Sequence, residues 1–390
     1  MPDATETPFL RKVGIRNYKS IGKASVELGR LTILVGRNGS GKSNFLDALR
    51  FVADSLQTSL DHAIKSRGGI DAVRRRSTGH PRNFAISLDV VLPQWQAAEY
   101  TFEIASQERG YSVRKESLRV VSKGLLVGSY QVDSGRVQSS LRAKLPPAVA
   151  DRLYLVTASG LPEFRPVYDA LSAMGFYNLS PEAMKEVQIP DAGELLHRDG
   201  SNVASVVARL SADQPARLER IQSYLATIVP EITAVEKVSL GPSETLQFRQ
   251  GVADFYAANM SDGTLRALGA LVAVTQLAEG KERVRLVGIE EPETALHPAA
   301  SGALMDALHE AAEHTQILVT THSPDLLDRV DFETDTVLAV AMDARETWIA
   351  PIDRASAQAV KEHLYSPGEL LRLDQLEPDR ESLERQKQLD

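Results

Sequence analysis

One glycine-rich segment near the start of the chain constrains the fold more strongly than any other feature. An apolar run, Leu31–Val35, is followed directly by eight residues that match the P-loop pattern at every position. This pattern requires a strand before it and a helix after it, and the sequence predicts both. The candidate phosphate-binding residues are the eight of the pattern and the one that follows: Gly36, Arg37, Asn38, Gly39, Ser40, Gly41, Lys42, Ser43 and Asn44.

The chemistry of this segment suits a nucleoside triphosphate with its metal ion. Glycines let the backbone wrap so that its N–H groups point at phosphates, and the dipole of the following helix favours the same anion. Lys42 would place its charge on the β- and γ-phosphates, and the Ser43 hydroxyl would ligate Mg²⁺. An ordinary glycine turn before a helix has no need of the complete pattern, so the sequence predicts binding of ATP and Mg²⁺.

Two adjacent carboxylates follow a second apolar strand, residues 285–289. Side chains at the carboxyl end of a parallel strand meet the ligand, and adjacent strand residues point to opposite faces. We therefore expect Glu290 and Glu291 to have different roles. Glu290 is predicted to bind Mg²⁺, and Glu291 to polarise the attacking water as general base. A Glu-Glu pair on a surface turn would carry no such meaning by itself.

A histidine ends a third apolar strand. The run Gln316–Thr321 stops at His322, and the next two residues, Ser-Pro, turn the chain into a helix. A lone histidine is more often structural than catalytic. Its register with the acidic strand favours a sensor of the γ-phosphate, and we expect His322, Glu290, Glu291 and the P-loop to converge on one triphosphate.

Composition limits the classes of protein and partner. The 390 residues, 43% of them hydrophobic, are enough for a large buried core. A net charge of -8 gives no overall attraction for nucleic acid, so any DNA contact would be a local patch. The absence of cysteine excludes disulfides and thiolate metal sites. The longest apolar stretch, residues 265–278, is too short to span a bilayer, and we expect a cytoplasmic protein that does not contact the membrane.

Periodicity divides the chain into four segments of an α/β protein. Two strands are predicted before the P-loop, strand-like alternation recurs between residues 83 and 121, and strands alternate with helices after residue 237, as in a parallel sheet with crossover helices. A helix is predicted over residues 264–279. Four domains are predicted. Residues 8–138 are an N-terminal half with the P-loop and an antiparallel β subdomain, and residues 139–236 are a mainly helical, lid-like insertion. Residues 237–370 are a C-terminal half, and residues 371–390 are a charged tail.

Three further motifs carry a resemblance to a known superfamily. Residues 259–264, Asn-Met-Ser-Asp-Gly-Thr, contain a Ser-Asp-Gly core that resembles the signature motif of ABC ATPases. Residues 290–298, Glu-Glu-Pro-Glu-Thr-Ala-Leu-His-Pro, and 321–324, Thr-His-Ser-Pro, are similar to the branch that contains the RecF, SMC and OLD-family ATPases. The strand at residues 15–21 also resembles the opening strand of that branch. The middle insertion resembles it poorly.

The resemblance implies a fold and a dimer. The expected fold is an ABC-type P-loop NTPase head, with a mixed sheet core, an antiparallel β subdomain and a helical insertion. Ser261 and Gly263 would act in trans on the ATP of a second copy, with residues 292–296 as the D-loop at the interface. A plain helix N-cap is the alternative for this Ser-Asp-Gly. Too few residues follow His322 for a Toprim nuclease, so a stand-alone ATPase resembling the OLD-family ATPase domain is expected.

Two departures from the superfamily pattern bear on the site. Glu290 stands where many ABC proteins have aspartate, which suits the OLD-like branch. No glutamine is assigned to the Q-loop, since Gln57 comes too early in the first helix.

Three uses of such an ATPase are weighed. A transporter ATPase would place its signature sooner after the P-loop and would lack the insertion. A RecF-like protein would clamp DNA, whereas an OLD-like sensor would control a separate effector, a nuclease or toxin in defence against phage. The sensor is favoured, with the DNA clamp close behind.

Three polar segments remain open to two readings. Arg74, Arg75 and Arg76 are candidates for DNA-phosphate contact, although a solvated loop is the more common use of such a run. Residues 198–202, Arg-Asp-Gly-Ser-Asn, look like a functional loop, but a helix cap explains them equally well. The acidic residues between 331 and 335 are read as a solvated turn and not as a metal site.

Overall fold

The computed structural model describes residues 8–77, 81–93, 96–108, 110–142, 145–276 and 284–388. The strands of this part of the chain are β1 Leu10–Tyr18, β2 Ile21–Glu27, β3 Leu31–Val35, β4 Asn83–Leu92, β5 Gln96–Gln107, β6 Gly110–Ser122, β7 Leu125–Asp133, β8 Arg136–Ser139, β9 Gly175–Tyr177, β10 Ile232–Leu240, β11 Ser243–Gln250, β12 Ala253–Tyr256, β13 Leu286–Glu290, β14 Gln316–Thr321, β15 Thr336–Asp343 and β16 Glu346–Pro351.

The helices are α1 Lys42–Gln57, α2 Leu60–Lys65, α3 Ile70–Val73, α4 Tyr154–Ala158, α5 Arg165–Ser172, α6 Pro181–Lys185, α7 Val203–Asp213, α8 Pro215–Ile228, α9 Asp262–Thr275, α10 Ser301–Ala312, α11 Pro324–Leu327, α12 Arg354–Lys361, α13 Pro367–Arg372 and α14 Arg380–Gln388. None of these helices is long and apolar enough to cross a membrane.

The chain forms two compact units. The first takes the described residues up to Met174, Thr336–Leu364 and the described residues from Asp374 onward. The second takes Gly175–Asp335 and Tyr365–Leu373. The division at Met174 runs through the segment 139–236 that periodicity treats as one insertion, and the four domain limits remain a prediction.

A mixed sheet is the frame of the first unit. Its strand order is β8-β7-β6-β5-β4-β1-β2-β16-β15-β3. The meander from β8 to β4 and its continuation through β1 to β2 are antiparallel, whereas β3 pairs in parallel with β15. Every second residue of β4 is buried, so one face of the sheet packs on the core. An edge-to-face aromatic cluster of Tyr18, Phe51 and Phe84 joins α1 to that face.

Three strands, not two, precede the P-loop. Asn17 and Lys19 have left-handed φ angles of 55° and 47°, and the chain reverses between Tyr18 and Ile21 to make the β1–β2 hairpin. The alternation of apolar and polar residues runs on through this turn, which is why periodicity alone predicts one strand here.

The second unit contains a short parallel sheet and a separate antiparallel one. The parallel order is β14-β13-β9, and the strands β10, β11 and β12 pair in antiparallel order beside helices α7 and α8. Strand β9 lies inside the segment predicted to be helical. Its three residues are too few for a periodic signal, and its pairing with β13 is made across more than a hundred residues.

The ends of the predicted signature helix differ from those observed. Helix α9 begins at Asp262, two residues earlier than predicted, because Ser261 caps it, and it ends at Thr275. The predicted continuation beyond residue 276 lies outside the described residues.

Candidate functional site

The P-loop of the first unit has the backbone that phosphate binding needs. Strand β3 delivers the chain to Gly36, and the loop then turns through Gly39 and Gly41, whose φ angles are 78° and 106°. Gly41 directly precedes α1, and a Cβ there would lie 2.1 Å from Oγ1 of Thr347. Only glycine fits this combination of left-handed backbone and close contact. The loop therefore ends on the N-terminus of a sixteen-residue helix, the end whose dipole favours an anion.

Lys42 closes the loop on itself. Its Nζ donates hydrogen bonds to the carbonyl oxygens of Gly36 at 2.7 Å and Arg37 at 3.0 Å, and the residue is only 4% exposed. The neighbouring Arg37, Asn38 and Gly39 are exposed, as is Ser43. A buried ammonium group held in a glycine loop that leads into a helix N-terminus is an arrangement suited to an anion.

A hydrogen-bond chain that sequence reasoning missed fixes the loop from behind. Thr347, on β16, is fully buried and donates from Oγ1 to the carbonyl of Ser40 at 2.9 Å. Oγ of Ser20 lies 2.7 Å from the same Thr347 hydroxyl and accepts from Nδ2 of Asn44 at 2.6 Å. Asn44 is thus joined to the turn of the β1–β2 hairpin through Ser20, and through Ser20 to Thr347. No local pattern signals Thr347, because 307 residues separate it from Ser40.

In the second unit, Glu290 and Glu291 face different neighbours. Glu290 is the last residue of β13, and its Oε1 accepts from Nη2 of Arg198 at 3.3 Å. Glu291 lies just beyond the strand with a left-handed φ of 45°, and its N–H donates to the carbonyl of Thr320 at 3.0 Å. The separation of the two carboxylates thus involves a left-handed residue at the strand end, and not strand alternation alone.

His322 lies against Glu291. It follows β14, which pairs in parallel with β13, and its Nδ1 is 3.2 Å from Oε1 of Glu291. Both side chains are partly exposed, at 41% and 33%. The imidazole can therefore orient the carboxylate, and both side chains are in part accessible to solvent.

Glu293 is a further acidic residue of this segment, and the sequence analysis gave it no role. It is only 7% exposed, and its Oε1 accepts from the Thr321 hydroxyl. Burial raises the pKa of the Glu293 carboxyl, and the hydrogen bond from Thr321 opposes part of that rise. The bond ties the loop after β13 to the end of β14, next to His322.

The signature residues form a helix cap and a tight loop contact. Oγ of Ser261 accepts from the N–H of Thr264 at 3.1 Å, so the N-cap role is present in the structure. Gly263 packs so closely that a Cβ there would lie 2.3 Å from the carbonyl oxygen of Ala295, in the predicted D-loop. Lys185 pairs with Asp262 at 2.5 Å. Signature and D-loop segments are therefore in direct contact within the second unit.

The oxygen donors fit a magnesium ion that arrives with phosphates. In the first unit Ser43 presents an exposed hydroxyl, and in the second unit Glu290 presents a carboxylate; each is by itself a ligand of the kind Mg²⁺ prefers. Within the described ranges, no group of three or more His, Asp or Glu side chains could hold a metal by itself. Either oxygen would leave the other positions of a Mg²⁺ ion to phosphates and water.

The run of arginines and the acidic turn singled out in the sequence are separate from the P-loop residues and from the group of Glu290, Glu291 and His322. Arg74, Arg75 and Arg76 line a concave surface of about 690 Å³ with Arg345, in the first unit. Oδ1 of Asp331 accepts from the N–H of Glu333, and Asp335 pairs with His309, so this acidic stretch is a hydrogen-bonded turn.

Comparison with known proteins places most of the chain in one family. Residues 31–328 match the family described as "AAA domain, putative AbiEii toxin, Type IV TA system". The match contains the P-loop, Ser261, Glu290, Glu291 and His322.

Two curated relatives match over short stretches. The chain is 37% identical over 98 residues to ABC transporter A family member 5 of Arabidopsis thaliana, which is 25% of this chain and 9% of that protein. It is 44% identical over 48 residues to the DNA replication and repair protein RecF of Trichlorobacter lovleyi, which is 12% of this chain and 13% of that protein. The chain therefore spans only a small part of these relatives.

A solved structure shares the fold. The SmcHead bound to the C-winged helix domain of ScpA superposes with a TM-score of 0.56 at 15% identity, covering 90% of this chain and 100% of that one. The predicted fold class, an ABC-type P-loop head with a mixed sheet, is confirmed by this likeness.

Proposed function

Because the chain belongs to the family described as "AAA domain, putative AbiEii toxin, Type IV TA system", we propose that it is a dimeric switch driven by ATP binding and hydrolysis. The predicted assignment to the RecF- and SMC-like branch of the ABC-superfamily P-loop ATPases is confirmed by the family match and by the likenesses to RecF and SmcHead. The roles of individual residues, the dimer and the effector are our proposal.

The observation that carries the proposal is the P-loop geometry, with Lys42 buried against two loop carbonyls at the start of α1. Lys42 would exchange those carbonyls for the β- and γ-phosphates, and Ser43 and Glu290 would hold Mg²⁺. A bound Mg²⁺ would neutralise phosphate charge and orient the triphosphate.

Glu291 is the proposed general base. Its carboxylate is oriented by His322 at 3.2 Å, and its exposed edge would accept a proton from the attacking water. His322 would then sense the γ-phosphate through its other nitrogen. The loop of Glu291 also contains Ala295, which contacts Gly263, so the base and the signature segment share one support.

The second copy is proposed from the signature segment. Ser261 caps α9, a fourteen-residue helix, and this helix N-terminus with its hydroxyl suits the γ-phosphate of an ATP held by another copy. Two ATP molecules would then lie in a two-fold dimer.

A separate effector is proposed as the output. The family description names a putative toxin of a type IV toxin–antitoxin system, and the SMC head of the solved structure is bound to a second protein, ScpA. We propose that closure of the ATP-bound dimer controls a nuclease or toxin that is a different polypeptide, in defence against phage.

The test is ATP hydrolysis and assembly by the purified chain. Phosphate release with Mg-ATP should be lost in Lys42→Ala and kept in Lys65→Ala, which changes an exposed lysine on α2. Glu291→Gln with Mg-ATP should elute as a dimer, whereas the same protein without nucleotide should not. A chain that neither turns over ATP nor assembles with it would contradict the proposal. Capture of partners by the trapped Glu291→Gln protein then identifies the effector.

A RecF-like DNA clamp is the second candidate, supported by the arginine-lined surface of the first unit. Arg74 and Arg75 are paired with Asp71 and Glu346, while Arg345 projects from the exposed β15–β16 turn. Stimulation of ATP hydrolysis by duplex DNA that fades as salt is raised, and that is lost in Arg345→Glu, would favour the clamp. Absence of stimulation at low salt would favour the protein-triggered switch.

A further inference from the structure

Arg198 contacts the carboxylate that is proposed to bind the metal ion. Its Nη2 lies 3.3 Å from Oε1 of Glu290, and both residues belong to the second unit. In the described part of the chain, no other cationic side chain lies within ion-pair distance of Glu290. The insertion loop that carries Arg198 is therefore joined to the acidic strand by a single charged contact.

The backbone around Arg198 is held firmly in place. The carbonyls of Arg198 and Asp199 accept from the N–H groups of Asn178 and Ser180, both at 2.9 Å. Asn178 directly follows β9, which pairs with β13 up to Tyr177 and Ile289. Arg198 is thus anchored beside the carboxyl end of β13, where Glu290 lies.

The loop after Arg198 is equally constrained. The N–H of His197 donates to Oδ1 of Asn202 at 2.7 Å, and Nδ2 of Asn202 donates to the carbonyl of Leu195 at 2.9 Å. Gly200 has a left-handed φ of 82°, and a Cβ there would lie 2.8 Å from the side chain of Met184. A helix cap alone would not require this network. The hydrogen bonds hold the backbone of the loop in place, and the long side chain of Arg198 extends from it.

The Arg198–Glu290 contact contributes little to the stability of the fold. The Arg198 side chain is 48% exposed, and ion pairs of such exposure are screened by water and contribute little to the free energy of unfolding. The guanidinium does, however, occupy carboxylate lone pairs that a metal ion needs. A guanidinium beside the carboxylate also repels a second cation, so the arginine opposes binding of the metal ion to Glu290.

On the basis of the proposed function, we propose that Arg198 is a positioning residue that holds Glu290 in the nucleotide-free protein and is released when the metal ion of the nucleotide binds. Arg198 thereby sets the Mg²⁺ concentration at which ATP binds. The same contact makes the insertion loop respond to occupation of the site.

The experiment measures binding, not turnover. A fluorescent ATP analogue is titrated with Mg²⁺ in full-length Glu291→Gln protein, and Arg198→Ala, Arg198→Lys and Arg209→Ala are compared in that background. Arg209 is the matched control, because it is a 43% exposed arginine of the same unit that pairs with Glu194 and Asp213. Circular dichroism establishes that each variant is folded.

Arg198→Ala should lower the Mg²⁺ concentration for half-maximal binding by about threefold, in line with a screened contact, and leave the affinity at saturating Mg²⁺ unchanged. Arg198→Lys, which keeps the charge, and Arg209→Ala should remain near the parent. An unchanged or raised midpoint in Arg198→Ala, or weaker binding at saturating Mg²⁺, would overturn the assignment. If the parent itself binds no more analogue than Lys42→Ala, the proposed ATP-binding function fails. If the parent binds the analogue but Arg198→Ala does not lower the midpoint, only the role of Arg198 fails.

Discussion

Nδ1 of His322 lies 3.2 Å from Oε1 of Glu291, and the two residues follow adjacent parallel strands, β14 and β13. This contact links the proposed sensor to the proposed base, because the imidazole lies against one carboxylate oxygen of Glu291.

Glu291→Gln should slow ATP hydrolysis by about a hundredfold or more while leaving ATP binding intact, because an amide cannot accept the proton of the attacking water. Phosphate release and analogue binding measure the two effects, with the exposed Glu313→Gln as control. His322→Ala should have a smaller effect, and the double variant should lose less than the product of the two, because the residues are in contact. Equal losses of binding and turnover in Glu291→Gln would contradict the general-base role.

Thr347→Val should weaken ATP binding by about fivefold, because one hydrogen bond to the Ser40 carbonyl is lost and a net bond is worth about 1 kcal/mol. The two side chains have nearly the same shape, so the fold should persist. Thr227→Val is the control, since that hydroxyl bonds only to its own helix at the Ser223 carbonyl. Wild-type affinity in Thr347→Val would show that the loop does not depend on β16.

Gly263→Ala should disrupt the contact between the signature and D-loop segments. The added methyl carbon would lie 2.3 Å from the Ala295 carbonyl oxygen, so one of the two segments must move, at a cost of about 1 to 3 kcal/mol. We expect loss of the ATP-dependent dimer in gel filtration. Gly302→Ala on α10, where the nearest atom is 3.9 Å away, should assemble normally. A dimer of unchanged stability in Gly263→Ala would argue against this contact as a support of the interface.

Asp47 should make the first unit sensitive to acid. Burial alone would raise the pKa of this carboxyl, but the charges and hydrogen bonds of Arg67 and Lys19 outweigh it and lower the pKa to about 2. A depressed pKa in the folded state stabilises the protein above the unfolded pKa, near 4, and this contribution is lost as the pH falls toward 2.

Asp47→Asn should therefore destabilise the protein by about 2 kcal/mol at neutral pH and flatten the loss of stability between about pH 4 and pH 2. Urea unfolding as a function of pH measures both. Asp213→Asn, which changes a 59% exposed carboxylate, should do neither. A parallel pH profile in wild type and Asp47→Asn would exclude Asp47 as the source of the acid sensitivity.

Features that depend on neighbouring residues can be predicted from the sequence. The strand, loop and helix around Lys42 were predicted because an apolar run, a contiguous glycine pattern and a helix start lie within about twenty-five residues, where local backbone preference decides the structure. The same holds for β13 and β14, whose buried runs end at Glu290 and Thr321.

Which of these residues contact one another depends on the three-dimensional packing of the chain. Thr347 reaches Ser40 across 307 residues, Arg198 reaches Glu290 across 92, and β9 finds β13 with three residues and no periodic signal. The physical reason is that such contacts follow from sheet register and packing between distant segments, which leave no trace in local alternation or propensity.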